Sequence, residues 1–155
     1  MQPYDTDLFF VLNDVARLMR TRFDQRARAY GMTRAQWVIL IRLQRQPGLS
    51  QNELAGICEV EPISVARLVD RLEASGMVER RADPADRRVR RLHLLPAAEP
   101  ILAEIARYRE QFREEITKDM TPSEWATALE VLLRMKDKLT SDDVGSPSAA
   151  VGEEA

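Results

Sequence analysis

Apolar side chains recur at steps of three and four along most of this chain, and the runs that carry them predict helices. Leu8, Leu12, Val15, Met19 and Phe23 form the first stripe, on a helix from about Thr6 to Tyr30. Its other faces carry Arg17, Arg20, Arg22, Arg26 and Arg28, and Gly31 ends it. A second helix holds Trp37, Leu40, Ile41 and Leu43 and stops at Pro47-Gly48. Two short helices follow. One opens at Ser50-Gln51-Asn52-Glu53-Leu54-Ala55; the other runs Pro62 to Ser75, with Val65, Leu68, Val69 and Leu72 facing inward and Gly76 closing it. Met77 to Arg81 and Val89 to Leu95 read as strands joined by Ala82 to Arg88. Pro96 then opens a long helix to about Lys118 with the stripe Ile101, Ile105, Tyr108, Phe112 and Ile116, and Pro100 predicts slight distortion in its first turns. A last helix, Pro122 to about Leu139, carries Trp125, Leu129, Leu132 and Leu133.

Capping chemistry fixes three of these starts. Thr33 with Gln36, Ser50 with Glu53, and Thr121 with Glu124 each have the spacing of a reciprocal capping box, and Pro122 takes the favoured first helical position. The resulting fold class is mainly α with a small β-hairpin. Residues 33–95 form a winged helix-turn-helix, a shape that reads duplex DNA. Residues 6–30 and 96–139 are long amphipathic arms, and residues 1–139 are expected to act as one unit. The ~45 residues from Ser50 to Leu95 cannot bury both arms' stripes. The arms are therefore expected to bury one another across a two-fold axis, giving a homodimer that presents two helix tips to a pseudo-palindrome.

Charge changes the picture locally rather than globally. The 155 residues carry a net charge of −2, but the tail from Ser141 holds four acids and no base, and without it the balance is +2. Residues 140–155, rich in Ser, Asp, Gly, Pro and Ala, read as a disordered polar tail. Arg80, Arg81, Arg87, Arg88, Arg90 and Arg91 crowd into twelve residues that hold two acids, Asp83 and Asp86, with Glu79 just before them. Phosphate binding depends on such local patches. A single cysteine excludes an internal disulfide framework, and no segment reaches the ~20 apolar residues that span a bilayer, so the expectation is a cytoplasmic protein with no membrane partner.

The residues assign candidate contacts to double-stranded DNA. Pro62, Ile63, Ser64 and Arg67 lie in the first turns of the second short helix, where a helix tip meets base edges. Arg67 can grip guanine O6 and N7 together; Pro62 and Ile63 can touch a thymine methyl. Ser64 either meets base or phosphate, or makes a local helix-start hydrogen bond. Arg71, further along the helix, joins the candidates. Ser50 and Gln51, with Asn52, can meet phosphate at a helix N-terminus, although capping alone explains Ser50. In the hairpin tip, Pro84 and its flanking aspartates push Arg87 outward. Arg88 is expected to pair with Asp70 or Asp86 and fix the wing; Arg90 and Arg91 face phosphates or water.

Two stretches carry a family resemblance: Leu68-Val69-Asp70-Arg71-Leu72-Glu73-Ala74-Ser75-Gly76-Met77-Val78-Glu79-Arg80 and Asp83-Pro84-Ala85-Asp86-Arg87-Arg88. They resemble the recognition-helix exit and the wing of the MarR family of bacterial transcriptional regulators, and the resemblance extends from Leu8 to Leu139. One departure is the Leu94-Leu95-Pro96 junction, where the family usually places a capping threonine. The resemblance implies a ligand-responsive repressor, with one wing arginine, assigned to Arg87, entering a narrow minor groove. It also implies a cleft between the arms and the DNA-reading lobe for a small aromatic or phenolic acid. Arg17, Arg20 and Trp37 are its candidate ligands, against the plainer alternative of surface arginines and a core tryptophan.

Other functions find less footing. There is no Gly-rich phosphate loop, no His-Glu-x-x-His and no Cys-x-x-Cys, so no enzyme is expected. One His and one Cys cannot make a zinc site alone, and no cofactor is expected. His93 alternates with Leu92 and Leu94 and is expected to face outward. Cys58 fits a small buried apolar position; redox sensing through it is one alternative. A winged-helix protein-interaction module without DNA binding is another.

Overall fold

The structure is a computed structural model that describes residues 6–58 and 60–141; the acidic tail lies outside them. Among the described residues there are six α-helices and one two-stranded hairpin. Helix α1 is Leu8–Arg28. Periodicity alone extends it back to Thr6, but the Asp7 carboxylate caps it, accepting from the N–H groups of Phe9 at 2.8 Å and Phe10 at 3.4 Å. Gly31, at φ 67°, turns the chain into α2, Arg34–Arg45. Thr33 and Gln36 cap α2 reciprocally. Helix α3 is Gln51–Cys58, and its capping box also forms: Ser50 N–H donates to Glu53 Oε2 at 2.7 Å, and Glu53 N–H donates to Ser50 Oγ at 3.2 Å. Helix α4 is Pro62–Ala74. Gly76, at φ 70°, ends it as only a residue free of Cβ strain does readily.

Strands β1, Val78–Ala82, and β2, Arg90–Leu94, pair antiparallel with Val78 opposite Leu94 and Ala82 opposite Arg90. Against the alternation, β1 starts and ends one residue later and β2 loses a residue at each end. The Met77 N–H bonds back to Leu72 O at 3.0 Å, finishing α4, and the Val89 N–H bonds Asp86 O at 3.0 Å inside the turn. The hairpin is not an isolated flap. On its other edge β2 meets the segment before α3: Gly48 N–H donates to Leu92 O at 2.9 Å, Leu92 N–H donates to Leu49 O at 2.9 Å, and Ser50 bridges to Arg91. His93 is therefore half-buried against this segment rather than facing water; a Cβ on Gly48 would sit 3.6 Å from its Cε1. After β2 a 3-10 turn, Pro96–Ala98, leads into helix α5, Glu99–Ile116. No side chain caps this start, as the Leu94-Leu95-Pro96 departure implies, and Pro100 falls early enough that its missing N–H is not needed.

The described residues fall into two compact units, with the border between Arg107 and Tyr108 inside α5. In the first, Trp37, Leu40 and Leu43 of α2 are buried, as are Leu54 of α3, Val65, Val69 and Leu72 of α4, and Val78 and Leu92 of the hairpin. This is largely the inward face the periodicity predicts; Leu68 of α4 and Ile41 of α2 are only half-buried, and Ile39, outside the expected stripe, is buried in α2. The second unit contains the end of α5 and helix α6, Pro122–Thr140, opened by the Thr121–Glu124 box. Among the described residues, the apolar stripes of α1 and α6 are largely uncovered, whereas Ile105 and Phe112 of the α5 stripe are buried. Phe9 of α1 is 72% exposed, Leu8, Val15 and Leu18 are also exposed, and α6 has no buried residue at all.

Three arginines tie the first unit together. Arg91 of β2 donates through Nε to Asp83 Oδ2 at 2.7 Å and through Nη1 to Glu53 Oε2 at 2.9 Å and Gly48 O at 3.3 Å. Arg80 of β1 donates through Nε to Gln51 Oε1 of α3 at 2.8 Å, and through Nη2 to Asp70 Oδ1 of α4 at 2.6 Å; its Nη1 pairs with Glu73. One guanidinium thus joins β1, α4 and α3. Arg26 of α1 donates through Nε to Glu104 Oε1 of α5 at 2.9 Å, and Arg107 donates to the other carboxylate oxygen at 3.0 Å. Those arginines, Arg107 foremost, hold the Glu104 carboxyl at about 2.

Two outcomes follow for stability. A carboxyl depressed in the folded state contributes stability above its unfolded value and loses it as pH falls through the folded value. The stability gap between wild type and Glu104→Gln should therefore be full at neutral pH, shrink below 4.5 and vanish near 2, as urea unfolding across that range would read. Arg80→Gln leaves Asp70 and Glu73 without their shared cation and should lower unfolding free energy by roughly 1–3 kcal/mol. A urea midpoint equal to wild type would contradict the clamp.

Candidate nucleic-acid interface

The sequence of α4 leaves its start free of the core. Val65, Val69 and Leu72 occupy the buried face, so the positions between them point away. Pro62, Ile63, Ser64 and Arg67 are all exposed, and Ile63 is exposed to 63%. Pro62 occupies the first helical turn, where no side chain caps the helix. Ser64 makes no side-chain hydrogen bond among the described residues, so its hydroxyl is not held locally. Arg67 likewise has no carboxylate partner among them.

A second group gathers beside it. Ser50, Gln51 and Asn52 at the start of α3 and Arg88, Val89 and Arg90 at the end of the wing turn line one cleft of about 220 Å³. Four of the sequence candidates, Ser50, Gln51, Arg88 and Arg90, thus share one wall-to-wall site across 40 residues of chain. Ser50 is engaged in its capping box yet keeps its hydroxyl hydrogen to donate. Gln51 gives its oxygen to Arg80, which leaves its amide NH2 free to donate outward. The positive end of α3 and two guanidinium groups make this cleft electropositive.

The wing tip is built from aspartate turns. Asp83 Oδ1 accepts from the Ala85 N–H at 2.7 Å and the Asp86 N–H at 3.3 Å, and Asp86 Oδ1 accepts from the Arg88 N–H at 2.9 Å. Arg91 and these backbone donors hold the Asp83 carboxyl below the usual range; Ser50, with Arg91 in support, does the same for Glu53. Arg87 is exposed on this tip and has no ion pair among the described residues.

Three expectations change. Arg88 does not fix the wing: Asp70 pairs with Arg80, Asp86 meets only the Arg88 backbone N–H, and the Arg88 side chain is exposed. Arg91, expected on phosphate or water, is held inside the Asp83–Glu53 clamp. The trio of Arg17, Arg20 and Trp37 is not brought together as a ligand cleft. Trp37 is 1% exposed, closed into the core with its ring 6.2 Å from Tyr30. Arg17 pairs with Asp14 at 2.9 Å, and Arg20 is an exposed side chain of α1. Arg71 stands apart too, about 13 Å along the helix from Pro62, where it lines a different cleft with Arg28 and Tyr30.

Other chemistry has little material here. No group of three or more His, Cys, Asp or Glu among the described residues can hold a metal ion, and no described helix is long and apolar enough to cross a membrane. Cys58 is half-buried, and that burial pushes its thiol up, with Arg42 pulling weakly the other way. A raised thiol is the opposite of what a reactive thiolate needs.

Comparison with known proteins agrees with this geometry. Residues 30–89 match the MarR family. A solved structure of MarR is 30% identical, aligning over 90% of this chain and 95% of its own with a TM-score of 0.78. The transcriptional regulator PA3341 is 34% identical over 84% of this chain and 96% of its own, with a TM-score of 0.74. The transcriptional regulator SlyA, at 22% identity, shares the fold over 86% of this chain and 94% of its own, with a TM-score of 0.76. Two of these neighbours, PA3341 and SlyA, are named as transcriptional regulators. From the capped helix-turn-helix, the clamped wing and the length over which both are shared, the chain belongs to the MarR family of transcriptional regulators.

Proposed function

We propose that this protein binds double-stranded DNA as a homodimeric, ligand-responsive repressor acting on a pseudo-palindromic site. The observation that carries the reading is the open tip of α4, with Ile63 uncovered and Arg67 unpaired, standing over a core that holds the helix rigidly. Arg67 reads a base edge, Pro62 and Ile63 touch thymine methyls, and Ser64 donates to a base or phosphate. Ser50, Gln51, Arg88 and Arg90 take a backbone phosphate in their shared cleft. Arg87 enters the minor groove beside it. The uncovered apolar faces of α1 and α6 support pairing of two chains, because exposed stripes of that size favour burial. Two paired tips then meet half-sites ~10 base pairs apart. This reading assigns the protein to the cytoplasm.

A protein-interaction module on the same scaffold would not need unpaired arginines at both the helix tip and the wing tip. Redox control through Cys58 finds no support in a thiol pushed up by burial.

Mobility shift on the protein's own promoter, run across a salt series, separates these readings. A DNA reader loses affinity steeply as salt rises, by about tenfold or more between 50 and 200 mM; an interaction module gives no shift at any salt. Arg67→Ala should cost ~1–3 kcal/mol and relax base choice at one position per half-site. Uniform loss on every sequence would make Arg67 a phosphate contact instead. Arg87→Ala should weaken binding mainly where the flanks are A·T-rich, and equal weakening on G·C-rich flanks would contradict minor-groove insertion.

A further inference from the structure

A cleft of about 470 Å³ opens where the end of α1, the first turn of α2 and the end of α4 meet, away from the open tip of α4. Its size suits a small metabolite. Arg28 and Arg71 line it from opposite helices, and no carboxylate does. Neither arginine has an ion pair among the described residues. Cationic side chains near the ends of helices also suit the helix dipole, and dipole compensation alone would account for each arginine singly. It does not account for the third donor. Gln36 is only 7% exposed, and its Oε1 accepts from the N–H of Thr33 at 2.9 Å and from its hydroxyl at 3.3 Å. That leaves the amide NH2 with no acceptor among the described residues, on a side chain that lines the cleft. The amide faces the cleft that Gln36 lines, so a molecule held there can accept from it. Gln36 and Thr33 are also the first turn of α2, whose positive end therefore borders the same space.

We propose that this cleft binds a small organic dianion, with one acid group on Arg28, the other on Arg71, and the Gln36 amide donating to one of them. Met32, Met77 and the Tyr30 ring supply walls for the carbon frame between the acid groups. Two guanidinium groups with no internal counter-charge match two negative charges better than one. The site is distinct from the Arg17, Arg20 and Trp37 group, none of which lines it. Its consequence for regulation rests on the DNA-binding reading. A bound dianion links α1 to the far end of α4, and it shifts DNA affinity by as much as it prefers one setting of that helix over another.

Two acid groups on one small molecule can be carboxylates or phosphates, and calorimetric titration of the full chain without DNA tells them apart. The probes are succinate and phthalate as dicarboxylates, pyrophosphate as the phosphate source, and benzoate as a single-charge comparison. Saturable binding of at least one dianion, tighter than benzoate by on the order of tenfold, is expected. Arg28→Gln and Arg71→Gln should each weaken it by on the order of tenfold, whereas Arg109→Gln, an exposed charge on α5, should leave it unchanged. Each variant's thermal melt is taken alongside, and a wild-type melting temperature shows that lost binding is not lost folding. The proposal is overturned if no dianion saturates, if benzoate binds as tightly, or if both glutamine variants of the cleft bind like wild type. Because no DNA is present, a failed mobility shift leaves this titration intact, and a failed titration leaves the mobility shift intact.

Discussion

A helix tip can read a groove only if the other end of the helix is held still, and here one guanidinium does much of that holding. Arg80 reaches from β1 to Asp70 and Glu73 on α4 and to Gln51 on α3. Arg91 repeats the device one strand over, tying β2 to the start of α3 through Glu53 and to the wing turn through Asp83. The backbone bonds of Leu92 to residues 48 and 49 fix the same strand from its far edge. The two candidate DNA prongs, helix tip and wing tip, are thereby set on one rigid body inside the first unit. Their spacing belongs to the fold and not to flexible loops.

The division of labour among the arginines follows from this. Of the six in the wing region, Arg80 and Arg91 sit on acidic partners, and Arg81 pairs with its neighbour Glu79. Arg87, Arg88 and Arg90 are exposed without such partners, and they are the ones that reach the wing tip and the α3 cleft. The acids of the region neutralise the structural cations and leave the candidate DNA-contacting cations bare. This explains how a chain of net charge −2 can present a basic surface where it matters.

What could be read along the chain was local. Three capping boxes, the glycines at 31 and 76, and the proline at 62 specify helix ends through bonds spanning a few residues, and all are found in place. The shape of α4, its buried and open faces, follows from period alone. What could not be read was which charge meets which across long separations. Arg88 and Arg80 are equally plausible partners for Asp70 on paper, and only the hairpin register, with Arg80 facing back along α4, decides between them. Trp37 fails as a ligand wall for a similar reason: its periodicity marks a helix face but not whether that face opens on a cleft or on Tyr30 and the core. The cleft of Arg28, Gln36 and Arg71 left no motif, because its three donors come from three helices.

The uncovered faces of α1 and α6 and the open tip of α4 meet in one claim, that two chains place two tips in successive major grooves. Hydroxyl-radical cleavage of the promoter in the presence of the protein tests it most directly. The account predicts two protected blocks related by a dyad, with centres ~10 base pairs apart. A single protected block, or blocks without two-fold symmetry, would contradict it.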